Sequence, residues 1–167
     1  MNISVVIVEA ICFALLFTIM VFLIYGTEKK YLASSISNYP LDIQEEYYKT
    51  HKKVDEVIQK KRLLAKLLGS LMFIVILVLC SIYANAKTFR DAFILAFILM
   101  VWIGIYDTFF LDWILFANMK MFRLKGTEHM DKSYHQKWFH LKGMLFPGLL
   151  IALIVGAIVG LIIKIIY

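Results

Sequence analysis

Four apolar runs, 3–25, 67–86, 92–117 and 144–166, constrain this chain more than any motif in it. The first carries one charge, Glu9, and the second none. The third carries Asp107 and Asp112, and the fourth only Lys164, near its end. A bilayer core of about 30 Å takes roughly 20 helical residues at about 1.5 Å each. All four runs meet that length, 67–86 only just. A soluble protein would need a much longer chain than 167 residues to wrap four such helices. Composition agrees, since 62% of residues are hydrophobic and 18% charged, against about 45–50% and about 25% in soluble domains. The expectation is an all-α, integral membrane four-helix bundle forming one polytopic domain. Its polar sequence lies in two segments, 26–66 and 118–143.

The first run does not read as a secretory leader. It lacks a basic n-region, is longer than the usual apolar core and has no small-residue cleavage site. Glu28, Lys29 and Lys30 follow it as a stop-transfer pattern. The net charge is +6, and its placement matters more than its size. Fifteen of the 18 basic residues fall in the two polar segments and the turns beside them, leaving Lys87, Arg90 and Lys164 at the other end. The positive-inside rule then places both polar segments in the cytoplasm and both termini outside it, in a multi-pass protein of the cell membrane. No nucleic-acid reader module accompanies these charges. Membrane lipids, including anionic headgroups, are the partners they suit.

Cys12 and Cys80 lie within the first two spans and read as separate buried thiols rather than a disulfide. Asn2 or Ser4 is placed to cap the first helix. The stretch 34–40 is turn-rich. Asp42, with Glu45 three residues on, has the pattern of a capping box. From 43 to 66 the composition is helical, with Glu45–Lys49 and Glu56–Lys60 at favourable i,i+4 spacing. No breaker precedes Gly69, so this helix is expected to run into the second span and project roughly 25 Å into the cytoplasm. The alternative is an amphipathic helix lying on the membrane. Asn85, Lys87 and Thr88 make a short turn that leaves the second and third spans antiparallel neighbours.

In the fourth span Gly148, Ala152, Gly156 and Gly160 form a small-residue ridge for close helix packing, inside the bundle or across a dimer. Pro147 fits the first turn of that helix, where an amide is not needed. Lys164 continues the ridge spacing at about the depth of Glu9, which suggests a buried ion pair between the two.

Function rests on the polar residues near the end of the third span. A carboxylate in an apolar helix costs several kcal/mol unless paired, protonated or wetted, so it marks a functional site by default. Asp107 lies about 24 Å from the outer end and Asp112 about 31 Å, which places Asp112 near the headgroups and Asp107 within the bilayer. On an α-helix the two stand about 140° apart, so they do not make a dyad. Tyr106 and Thr108 are the local hydrogen-bond partners expected for Asp107, in a ligand or proton site or as a purely structural carboxylate.

Beyond the span comes TEHMDKSYHQKWFH, residues 127–140. If Thr127 caps a helix there, Glu128, Asp131 and His135 share a face and suit a divalent metal or a lipid headgroup. Solvated interfacial residues would look the same. His140, beside Trp138 and Phe139, reads as part of an aromatic girdle. No nucleophile elbow, phosphate loop, dinucleotide fingerprint or CxxC occurs, and no cofactor is implied.

Two functional classes follow. One is a small non-enzymatic membrane protein, a transport or channel component or a subunit of a larger assembly. Four helices make a thin wall for a pathway, so this reading calls for a homo-oligomer or a membrane partner. The other is a membrane-embedded enzyme acting on a lipid or isoprenoid headgroup through Asp107, Asp112, Glu128, Asp131 and His135.

Overall fold

The computed structural model describes residues 1–27, 35–52 and 56–167, without the side chains of 24–27, 56–62 and 65. Every regular element among these residues is helical. Four helices are long and apolar enough to cross a membrane, within Ile3–Leu23, Lys66–Tyr83, Phe89–Phe116 and Asp131–Ile166. The chain is an all-α, multi-pass membrane bundle.

Helix α1 (Ile3–Thr27) opens on Asn2, whose Oδ1 accepts from the Ser4 N–H at 3.1 Å. The Asn2 N–H donates to Ala84 O at 2.7 Å, so the start of the chain and the end of the second span share one end of the bundle. Helix α2 (Leu41–Thr50) is short, and α3 (Glu56–Tyr83) is the second span. Helix α4 (Phe89–Tyr106) starts where Thr88 Oγ1 accepts from the Asp91 N–H at 3.1 Å, and it continues as a wide-turned segment, Asp107–Phe116. Two short helices follow, α5 (Asp131–Tyr134) and α6 (Lys137–Gly143), before the last span, α7 (Leu149–Ile166).

Helix α4 is the central post, touching α1, α3 and, most extensively, α7. In lipid, apolar surface gives no drive for helices to associate, so close packing and polar contacts must do it. Both are present. Gly156 and Gly160 lie against α4, where an added Cβ would stand 3.2 Å from Phe93 O and 2.8 Å from the Phe89 ring. The ridge is therefore used inside the bundle, over Ala152, Gly156 and Gly160. Gly148 is not part of it. A four-residue step advances about 40° around a helix, so two steps from Gly156 turn a residue about 80° off the contact face. Trp102 Nε1 donates to Ala10 O at 2.9 Å and ties α1 to α4. Val6, Leu77, Leu95, Leu99, Val159 and Ile163 fill the core of this half.

A second core caps the other end, built by Ile36, Tyr39, Ile43, Phe122, Leu124 and Tyr134. It explains why the helix expected over 43–66 is broken. Ile43 is fully buried in this cap, so α2 must lie beneath the bundle and end at His51, whose backbone is extended. The helical extension before the second span is then only the first part of α3, which runs unbroken from Glu56 into the span. Asp42 does not serve as the cap expected of it, because Pro40 precedes the helix. Its carboxylate instead accepts from Ser133 Oγ and from Gln136 Nε2, the latter at 2.8 Å, fastening α2 to the segment before α6. The expected Glu45–Lys49 pair gives way to Glu46–Lys49 at 2.5 Å. Glu28, Lys29, Lys30 and Lys53 lie outside the described residues, as do the side chains of Glu56 and Lys60.

The fourth span also departs from expectation. Helical structure begins at Lys137, and Pro147 sits at a break rather than in a first turn. Phe146 is extended there (φ −151°, ψ 117°) and the Phe146–Pro147 peptide is cis. Proline lacks an N–H and disfavours the α region for the residue before it, so a helix entering from Lys137 must interrupt itself at this point. Cys12 and Cys80 are free thiols, with Cys12 exposed on the apolar outer surface rather than buried.

Candidate acidic cavity

The site is set by the backbone of Asp107–Phe116, which winds with the wider i→i+5 hydrogen-bond spacing of a π-helix. On an α-helix Asp107 and Asp112 diverge. With bonds spanning five residues, side chains five apart return to one face, and both carboxylates line the same cavity of about 370 Å³. Such wide turns occur often at functional sites.

Asp112 Oδ2 lies 2.8 Å from His140 Nδ1. The His140 side chain is 8% exposed, its ring edge-on to Phe116 and Phe139, and its Nε2 is buried without a partner. Asp107 has Asp112 and His140 as its titratable neighbours in the cavity. Among the described residues no hydrogen bond or ion pair reaches its carboxylate. Phe17 and Val21 of α1 supply one wall, Leu111, Leu115 and Phe116 another, and Tyr39 and Phe122 join from the cap. Ser35 and Asn38 add polar groups at the cap side. The π-turn thus aims two carboxylates into a mainly apolar, aromatic chamber between the bundle and its cap.

Tyr106 and Thr108 do not serve Asp107. The Thr18 hydroxyl donates to Ala14 O at 2.9 Å, so the 2.7 Å contact between Thr18 Oγ1 and Tyr106 OH has tyrosine as donor. Tyr106 therefore bridges α4 to α1, and Thr108 is buried within the bundle.

Glu128, Asp131 and His135 do not join the cavity either. Helix α5 begins only at Asp131, so the three never share a helical face. Thr127, the expected cap, is instead buried, donating to Leu124 O at 3.0 Å and accepting from Tyr134 OH at 2.6 Å. Glu128 Oε2 accepts from the Gly126 N–H at 2.7 Å. Asp131 pairs with Arg123 at 2.8 Å, and His135 Nδ1 lies 2.8 Å from Asp131 O. Among the described residues no three His, Cys, Asp or Glu side chains are arranged to hold a metal.

Glu9 and Lys164 are not brought together. Glu9 is 9% exposed, with the Cys80 thiol beside it. Lys164 has rotated off the ridge face and is exposed in a shallow depression with Lys87, Thr88 and Tyr167. The same 40° drift per four-residue step accounts for both Gly148 and Lys164.

Sequence reasoning missed His140 and the buried Arg123. A signal for His140 was present. It precedes the last span by about as many residues as Asp112 precedes the end of the third, so antiparallel neighbours would hold the two at one depth. No family model, no curated protein and no solved structure matches this chain.

Proposed function

We propose that this chain is a non-enzymatic component of a transport system or larger membrane assembly, binding its ligand or a proton at Asp107. The observation that carries this reading is a carboxylate with no hydrogen-bond or ion-pair partner among the described residues, facing a walled cavity inside a membrane bundle. A structural carboxylate would be expected to have its hydrogen-bonding capacity met by the fold. The enzyme reading loses support because Glu128, Asp131 and His135 are engaged elsewhere. Beyond the cavity, Val6, Leu77, Leu95, Leu99, Val159 and Ile163 close the bundle with apolar side chains. This favours binding from one face over conduction through a single chain, and a second copy or partner membrane protein would complete any pathway.

The distribution of basic residues supports a cytoplasmic position for the capped end, with both termini outside. Anionic headgroups would then meet the basic residues around the cap. Dicyclohexylcarbodiimide, an apolar reagent that activates protonated carboxyl groups, tests the site. Peptide mass mapping should find Asp107 modified ahead of the other acids, and Asp107→Asn should remove the adduct without altering the melting curve. Modification confined to other residues would remove the basis for a functional Asp107.

A further inference from the structure

The geometry points to an organic ammonium group on an apolar stem as the ligand of the Asp107 cavity, an inference that rests on the binding role just proposed. Charge is the first argument. The described wall holds two carboxylates and one histidine, with no Lys or Arg. His140 is already committed to Asp112 at 2.8 Å. Asp107 is therefore the carboxyl left without a basic partner among the described residues, and a cationic group would complete the site.

The surroundings narrow the chemistry further. Phe17, Tyr39, Phe116 and Phe122 line the chamber, and aromatic faces attract organic cations, quaternary ammonium groups above all. Val21, Leu111 and Leu115 supply the surface that an alkyl stem would cover. An anion would meet the wrong charge, and a neutral apolar molecule would bury Asp107 unanswered. The volume of about 370 Å³ lies in the range of small-ligand pockets. It exceeds what a proton alone requires and holds roughly a dozen waters' worth of space. His140 adds a second polar point, since its Nε2 is buried and unpartnered at the wall.

An ammonium on an apolar stem could be a free amphiphilic amine or the headgroup of a membrane lipid, and two arms of one experiment separate these. In the first, the full chain is placed in phosphatidylglycerol nanodiscs and treated with hexyltrimethylammonium, with hexanol and hexanoate as charge controls. At about ten times its Kd the ammonium should slow carbodiimide modification of Asp107 about tenfold and raise the melting temperature. The two controls should do neither. Asp107→Asn should lose the melting shift, which reads binding independently of modification. In the second arm, phosphatidylethanolamine nanodiscs without added amine are compared with phosphatidylglycerol ones. Slowed modification there supports the inference and assigns the ammonium to the lipid, whereas protection by the added amine alone supports it and assigns a free ligand. Equal effects of hexanol or hexanoate would overturn the inference, as would an Asp107 that is modified but never protected. An Asp107 that is not modified at all would instead remove the binding role beneath it.

Discussion

Tyr134 shows how one side chain can hold the cap together. Its hydroxyl accepts from the Leu124 N–H at 3.0 Å and donates to Thr127 Oγ1 at 2.6 Å, while Arg123 lies 3.9 Å over its ring. All of this is buried, with Tyr134 1% exposed. Tyr134→Phe keeps the ring and removes the hydroxyl, leaving a buried amide unpaired at a cost of about 1–3 kcal/mol. Unfolding in mild detergent should move by that amount, and an unchanged midpoint would mean that water replaces the hydroxyl. The sequence made Asp107 legible because an ionisable group in an apolar run stands out by composition alone. His140, Tyr134 and Arg123 were not legible in the same way. Each owes its role to partners set by tertiary folding, such as Phe116 against His140, and Arg123 reads locally as one more basic loop residue.

Spans were legible as elements because apolar length decides them, whereas winding was not. The apolar pattern around Asp107 is the same whether hydrogen bonds close four or five residues back, and only the second spacing makes Asp107 and Asp112 neighbours. The end of α2 at His51 was hidden for a related reason. No Gly or Pro marks it in the sequence, and it is imposed by the burial of Ile43 in the cap. The ridge of α7 was legible, and it supports a test at this scale. A Cβ at Gly160 would stand 2.8 Å from the Phe89 ring and 2.9 Å from Phe89 O. The backbone oxygen cannot swing aside, so the helices must part. Gly160→Ala is expected to destabilise by about 1–3 kcal/mol through overpacking. Gly69→Ala is the contrasting case, because nothing lies within 4 Å of its Cβ position. There the better helix former should be neutral or stabilising by about 0.5–1 kcal/mol. Paired unfolding curves should show opposite signs, and two equal shifts would mean that α4 and α7 do not rely on this close approach.

The whole molecule has two unlike ends, and that asymmetry predicts how it sits in the membrane. One end gathers Asn2, the Ala84–Thr88 turn and Tyr167, as the Asn2–Ala84 hydrogen bond and the 5.4 Å approach of Lys87 Nζ to the Tyr167 ring require. The other carries the cap, the acidic cavity and Lys49, Lys120, Lys125, Lys132 and Lys137 around it. Each Lys or Arg near an anionic cytoplasmic leaflet contributes about 1 kcal/mol, so a 15-to-3 imbalance outweighs any single contact in setting orientation. The capped end is therefore expected inside. In a background of Cys12→Ala and Cys80→Ala, single cysteines at the exposed positions Lys87 and Lys125 separate the two orientations. An impermeant maleimide applied to intact cells should modify Lys87→Cys and spare Lys125→Cys until the cells are opened. Modification of Lys125→Cys in intact cells would invert the molecule and place the Asp107 cavity toward the exterior, where the proposed ligand would have to arrive from outside the cell.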